Sequence, residues 1–270
     1  MRKFLILLIY INFLFDFIVF GRTIVFSGYN WEVKNSLNSK VRPGPNYFSD
    51  ALEDVWVDGA GKLHLKIVYK NDKWYCTEVY NHVSLGYGEY IFYIEGKLDL
   101  LDKNIILGLF TWDNYAPEYN YREIDIEFSK WGIENNLNSQ YVVQPYIKSE
   151  NIYRFNTILS DIKSTHKFRW EKDIITFTSI YGHKANPDSQ YDIINYWVYT
   201  GIDNPPPGLE KVDINFWLMG GNPSSNIKDA EIIINKFEFI PINLLPTPTQ
   251  TQVPTPVVFD ETPNFYIKKY

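Results

Sequence analysis

The stretch Tyr121-Arg122-Glu123-Ile124-Asp125-Ile126-Glu127-Phe128 alternates charged and apolar side chains almost without a break. A period of two is the signature of a strand with one buried and one wet face. Ile124, Ile126 and Phe128 then point into a core, and Glu123, Asp125 and Glu127 share the opposite face. At a rise of roughly 3.4 Å per residue, same-face neighbours stand about 6.8 Å apart. Three carboxylates in such a row repel one another, whereas a face built only for solvation mixes its signs. The stretch demands a sheet, and a reason for holding three acids together on it.

The chain around it repeats the strand pattern in short runs separated by turn residues. Residues 24–33 read as a first strand, and residues 34–50, with Pro43-Gly44-Pro45-Asn46, as a loop. Residues 55–57 and 62–69 flank Asp58-Gly59-Ala60-Gly61, a hairpin signal. Residues 73–85 are long enough to cross a sheet, and Gly86-Tyr87-Gly88 turns them into 89–95. The nearly all-apolar run 105–112 suits the middle of a sandwich. Further strands are expected at 139–147, 165–170, 174–181, 191–199, 212–219 and 231–240. No segment has the period of an amphipathic helix, and no repeat of fixed length occurs. The expectation is an all-β chain, a two-sheet antiparallel β-sandwich, folding as one domain over residues 22–241.

The ends differ from this body. Met1-Arg2-Lys3 precedes an apolar run over residues 4–15, interrupted by Asp16 and resumed at 17–20. A secretory signal peptide over residues 1–21, cleaved after Gly21, and hence a secreted protein, is the expected reading. Its alternative is a membrane anchor left uncleaved; Asp16 weighs against it, because a span needs about 20 apolar residues. Residues 245–256 are Pro/Thr-rich and read as an extended spacer, so residues 242–270 are expected to be a linker and disordered tail.

Aromatic residues make up 17% of the chain. Such residues fit pleated half-buried surfaces, and Trp and Tyr also stack on sugar rings, so composition alone does not separate the two uses. The net charge of −6, with no Arg-rich segment, excludes a nucleic-acid partner. The one cysteine, Cys76, permits no intramolecular disulfide and reads as a buried thiol, with no disulfide-linked partner evident. Four scattered histidines give no zinc-like pair. A monomer is the expected state.

Glycoside hydrolysis uses two carboxyl groups flanking the bond that breaks. Glu123 and Glu127 can supply them, and Asp125 between them makes its neighbours harder to ionise, which favours a general acid near neutral pH. Geometry objects: the two Glu residues lie about 13.6 Å apart along an ideal strand, against about 5–5.5 Å in retaining enzymes. Only a concave sheet lets the side chains converge.

Glu-Ile-Asp-Ile-Glu-Phe at residues 123–128 resembles the active-site strand of family 16 glycoside hydrolases, the lichenases and laminarinases. Trp74-Tyr-Cys-Thr-Glu78-Val followed by Gly86-Tyr-Gly-Glu-Tyr90 resembles that family's early strand pair. Leu109-Phe-Thr-Trp112 is similar to the strand before the catalytic one, and Ile214-Asn-Phe-Trp217 to its late Asn-Leu-Trp strand. The resemblance implies a curved, concanavalin-like jelly roll with a concave substrate cleft. It implies retaining hydrolysis of β-linked glucans or galactans without a cofactor, with Glu123 as nucleophile, Asp125 as its helper and Glu127 as general acid/base. Folds of this type can carry a structural calcium on the convex side; no ligands for one stand out. His166-Lys-Phe-Arg-Trp170 and Phe177-Thr-Ser-Ile-Tyr-Gly182 depart from the lichenase pattern, which bears on substrate more than on catalysis.

Beside the acids, Glu78 is a candidate to bond sugar hydroxyls. Trp112 either stacks on a sugar or packs in the core, and Trp131, just past the acid strand, is a platform candidate. Trp217 is expected in the cleft, Gln144 as a donor to substrate or an ordinary strand residue, and His166 in the core or behind the site. The function expected is endo-hydrolysis of a polysaccharide, a β-1,3- or β-1,3-1,4-glucan. Its rivals are transglycosylation on the same scaffold and a non-catalytic lectin-like module.

Overall fold

The computed structural model describes residues 21–245. The apolar N-terminal segment up to residue 20 and the Pro/Thr-rich tail from residue 246 lie outside the described residues.

Among the described residues sixteen strands follow one another, linked by turns and short 3-10 segments. They are β1 (Arg22–Phe26), β2 (Tyr29–Val33), β3 (Tyr47–Phe48), β4 (Val55–Val57), β5 (Leu63–Lys70), β6 (Lys73–Asn81), β7 (Gly88–Glu95) and β8 (Ile105–Trp112). After these come β9 (Ile124–Phe128), β10 (Ser139–Val143), β11 (Ile152–Phe155), β12 (Lys163–Trp170), β13 (Ile175–Tyr181), β14 (Ile193–Tyr199), β15 (Lys211–Leu218) and β16 (Ala230–Pro241). One layer runs β1-β2-β6-β15-β8-β9-β10-β11, and the other runs β4-β5-β16-β7-β12-β13-β14. The β5–β6 hairpin joins them, so hydrogen-bonded strands pass from one layer into the other and the sheet curves almost into a barrel. All pairings are antiparallel except β3 on β6.

The alternation read from the sequence decides what lies between the layers. Ile124, Ile126 and Phe128 of β9, Leu107 and Leu109 of β8, and Ile214 and Phe216 of β15 are buried in one core with Phe92, Phe168, Phe177 and Phe237 of the other layer. Rings meet across the gap: Tyr141 lies over Phe177 at 4.9 Å and Trp31 meets Phe237 edge-on at 5.5 Å. The Tyr141 hydroxyl donates to Ser179 Oγ at 2.6 Å, so the ring's one polar atom is satisfied inside the core. His166 sits there too, between Ser164 and Ser179, and burial holds its pKa down at about 3, as a neutral side chain. Cys76 is buried, and desolvation pushes its thiol pKa up, so it stays protonated.

Three expected strands take another form. Residues 24–33 are a hairpin, β1–β2, whose turn is Ser27-Gly28 with φ of 50° and 82°. Both central residues at positive φ suit the twist of a two-residue hairpin. The acid strand starts only at Ile124, because Asn120, Tyr121 and Arg122 are left-handed, with φ of 49°, 60° and 53°. The strand expected at 139–147 ends at Val143, just before Pro145, which has no N–H for a ladder. The loop expected at 34–50 contains β3, and β11 pairs with β10 where no strand was expected.

Candidate functional site

A groove of about 710 Å³ crosses the outer face of β6, β15, β8 and β9. Its floor is set by register. Glu127 pairs with Gly108, Gly108 with Asn215, and Asn215 with Glu78. One residue row along, Asp125 pairs with Phe110, Phe110 with Asp213, and Asp213 with Tyr80. These side chains share a face because each row steps two residues along every strand. Among the expected residues, Glu123, Asp125, Glu127, Glu78, Trp112 and Trp217 all line the groove.

Glu123 lies just before β9, at the exit of the left-handed turn. Several contacts hold that turn. Thr111 Oγ1 donates to the Arg122 carbonyl at 2.7 Å and accepts from the Ile124 amide at 3.2 Å. The Arg122 guanidinium donates to Asp113 at 3.1 Å and to the Pro206 carbonyl at 3.0 Å, and stands over the Tyr119 ring at 4.4 Å. Left-handed backbone at non-glycine residues costs energy and persists only where surroundings over-determine it. Here it brings the Tyr121 ring parallel to Trp112, with centroids 4.4 Å apart and planes 9° apart, both rings at the groove. The Trp112 indole N–H donates to Asn114 at 2.8 Å.

The three acids of the octapeptide act on one another. Burial and then the Glu127 charge raise the Glu123 pKa to about 8, against a hydrogen bond with Asp125 that favours its anion. Asp125 is only 3% exposed, and burial plus the charges of Glu123 and Glu127 push it well above the ordinary carboxylate range. Burial also raises Glu127, opposed by a Gln140 hydrogen bond and the Arg154 cation. Side chains this strongly coupled titrate as a group. The Glu127 charge therefore reaches Glu123 although four residues separate them along the chain.

The two glutamines of β10 and its exit divide the acids between them. Gln140 donates to Glu127, and Gln144 donates to Asp125 at 3.1 Å while accepting from the Tyr146 amide at 2.9 Å. Gln144, expected to face substrate, is thus engaged at both ends with the protein and does not line the groove. Gln140 was not singled out in the sequence; its register opposite Glu127 is the signal that identifies it. Trp131 also lies off the groove. The Arg154 guanidinium stacks on it at 5.2 Å and donates to Gln140 at 3.1 Å, linking Trp131 to Glu127 at third hand.

On the opposite wall, Glu78 accepts from Lys34 Nζ at 2.7 Å. Its pKa is raised by burial, with Lys34 and Asn215 opposing. Asp213 and Asn215, not foreseen as site residues, are as deeply buried as Glu78. Their signal was present in the alternation Lys211, Asp213, Asn215, Trp217 along β15. Among the described residues no group of three or more His, Cys, Asp and Glu side chains is arranged to hold a metal ion, and no ligand set for a calcium can be named.

No protein-family description and no curated protein sequence matches the chain. Solved structures do. A β-glucanase of Bacillus licheniformis superposes with a TM-score of 0.55 at 18% identity, over 77% of this chain and 91% of that one. A prokaryotic β-1,3-1,4-glucanase (lichenase) from a mouse hindgut metagenome gives 0.52 at 18% identity, over 78% and 93%. A β-1,3-glucanase of Mycobacterium marinum gives 0.52 at 16% identity, over 78% and 90%. Identities this low speak for architecture, and on that ground the chain has the curved jelly-roll sandwich fold of these β-glucanases.

Proposed function

We propose that the protein is a retaining endo-glycosidase that hydrolyses β-linked glucans. The observation that carries this reading is the row Glu123, Asp125 and Glu127 on the floor of a groove crossing four strands, with carboxyl pKa values that burial raises. Glu123 attacks the anomeric carbon while Glu127 gives its proton to the departing glycosidic oxygen. Glu127 then takes a proton from water, whose oxygen displaces Glu123 and restores both groups. Asp125, the acid most strongly disposed to keep a proton, donates it to the Glu123 carboxylate and so favours the nucleophilic anion.

Before substrate binds, Gln140 and Arg154 favour negative charge on Glu127 more than anything favours it on Glu123. The reacting form has that proton on Glu127 instead. The two forms differ in where a proton sits, and a sugar that desolvates Glu127 favours the second. The glucanase names carried by the structural relatives support the substrate class. Export directed by the N-terminal segment would bring the enzyme to such a polymer.

The test is a panel of β-1,3-, β-1,3-1,4- and β-1,4-glucans scored by reducing ends, followed by an NMR time course on whichever is cut. The expected first product keeps the β anomeric configuration and appears as medium-length oligosaccharides. An inverted first product would sink the double-displacement mechanism, and monosaccharide release alone would sink endo action.

A further inference from the structure

Three buried oxygen atoms in the groove have no hydrogen-bond partner among the described residues: Glu78 Oε2, Asp213 Oδ1 and Asn215 Oδ1. They come from neighbouring strands, Glu78 directly opposite Asn215 and Asp213 one row nearer Trp112. All three atoms can accept a hydrogen bond, and all three residues line the groove; burial and the Glu78 charge dispose the Asp213 carboxyl to hold a proton, which leaves it acceptor capacity as well. A buried acceptor left unpaired is costly, and such groups occur where function needs them.

Two of the three cations lining the groove are engaged with other partners. Lys34 Nζ donates to the other Glu78 oxygen at 2.7 Å and to the Arg42 carbonyl at 2.8 Å, and stands over the Phe48 ring at 4.4 Å. Lys211 Nζ donates to the His82 carbonyl at 2.8 Å. Asn215 Oδ1 overhangs Gly108, where an added Cβ would approach it to 2.5 Å. The missing side chain at Gly108 leaves space between this acceptor and Glu127, which flanks Gly108 on its other side.

We propose that Asp213, with Asn215 and Glu78, accepts hydrogen bonds from free hydroxyl groups of the sugar lying against the acid strand, so that the groove selects chains unsubstituted there. This rests on the glucan-hydrolase reading above. A hydroxyl offers the donor that each orphan oxygen lacks. A sulfate ester or an O-methyl group offers only acceptors and leaves the buried oxygens unpaired. Sites built around a substrate hydroxyl discriminate strongly against analogues lacking it, because the protein group is then stranded. Asp213 has the greatest influence, since its carboxyl makes no hydrogen bond to a described residue, and both Glu78 and Glu123 act on it electrostatically.

The experiment crosses an enzyme change with a substrate change. Wild type and Asp213→Leu are assayed on a β-linked glucose tetrasaccharide and on a set in which each member lacks one hydroxyl. For wild type, one or two deoxy sugars are expected to lose kcat/KM on the order of 10²-fold or more relative to the parent. Asp213→Leu is expected to cleave the parent and those same deoxy sugars within about threefold of each other, the non-additivity that marks direct contact. An unchanged parent-to-deoxy ratio for every sugar in the variant would overturn the Asp213 assignment alone. Wild type that cleaves neither the tetrasaccharide nor any β-glucan would overturn the glucanase reading beneath it. Should Asp213→Leu show no cooperative melt, Asp213→Asn, which turns one acceptor into a donor, is read in the same way.

Discussion

Glu78 and Glu89 are acids of equal burial, 6% and 7% exposed, on strands of opposite layers. Glu89 ion-pairs with Lys167 at 2.8 Å, and Lys167, itself 6% exposed, also donates to Asn186 at 2.9 Å. Charge there is answered locally. In the groove, five carboxyl groups (Glu78, Asp213, Glu123, Asp125 and Glu127) share one surface, and among the described residues the only ion pair they make is Glu78 with Lys34. Elsewhere the second layer repeats the paired arrangement, Lys62 with Glu95 at 2.7 Å and Lys236 with Glu238 at 2.9 Å. The same residue type serves stability where a cation meets it and reactivity where acids meet each other. The groove carries a folding penalty that the ion-paired acids of the second layer do not.

The contrast can be broken most directly by the same substitution in both places. Glu123→Gln is expected to lower kcat on the order of 10⁴-fold or more while the protein stays folded. Glu89→Gln strands a buried lysine, so a loss of about 3 kcal/mol is expected, or roughly 6–12 °C in Tm for a chain of this size, with kcat near wild type. A Glu89→Gln enzyme that melts normally but fails to turn over would refute the division. Next in size is Gly108→Ala. Its Cβ, 2.5 Å from Asn215 Oδ1, displaces that side chain and narrows the floor beside Glu127. A fall in kcat/KM of about 10- to 100-fold, with Tm little changed, is expected.

A thermal-melt series against pH sharpens the comparison further. The folded pKa of Glu123, about 8, lies above its ordinary value of 4.5. Between those values the folded protein holds more protons than the unfolded chain, so this group's contribution to stability is present below about 4.5 and is lost as pH rises to about 8. Glu123→Gln removes that slope. It should melt a few degrees above wild type at pH 8, and the gap should close as pH falls to 4.5. A constant gap at every pH would contradict the assigned direction. The smallest effect expected is that of Arg154→Met. Arg154 is exposed, so its cation stabilises the Glu127 anion only by about 0.2–1 kcal/mol. Its loss raises the Glu127 pKa. Glu127 is the first of the pair to lose its proton, so raising its pKa should move the acid limb of kcat/KM slightly to higher pH; a move to lower pH would be the wrong sign.

Much of this was legible in the chain. The apolar run 105–112 coincides with β8, and the hairpin around Asp58-Gly59-Ala60-Gly61 pairs β4 with β5. Strands with strong alternation declare themselves, because burial on one face writes the period into the sequence. What stayed hidden depended on backbone conformation or on distant partners. Ser27-Gly28 reads as two more residues of a strand until its left-handed φ values are known. Tyr121 and Arg122 continue the charged and aromatic alternation, yet are turned by contacts with Thr111, Asp113 and Pro206. Gln140 and Gln144 look alike in sequence, and only the register of β10 on β9 assigns the first to Glu127 and the second to Asp125. Asp213 looked like an ordinary strand residue because its importance comes from β6 and β8, which flank it from far along the chain.

The position of β15 between β6 and β8 also fixes when in the life of the chain a site exists. Residues 73–81 and 105–112 lie close in sequence but are not neighbours in the layer, and residues 211–218 must insert between them. A nascent chain that has emerged only as far as residue 210 carries all three acids of the octapeptide and still lacks Asp213, Asn215 and the strand that spaces the two walls. Such long-range closure is slow, since the loop entropy is spent before the contacts form. The groove therefore exists only once residues 211–218 have taken their place between β6 and β8.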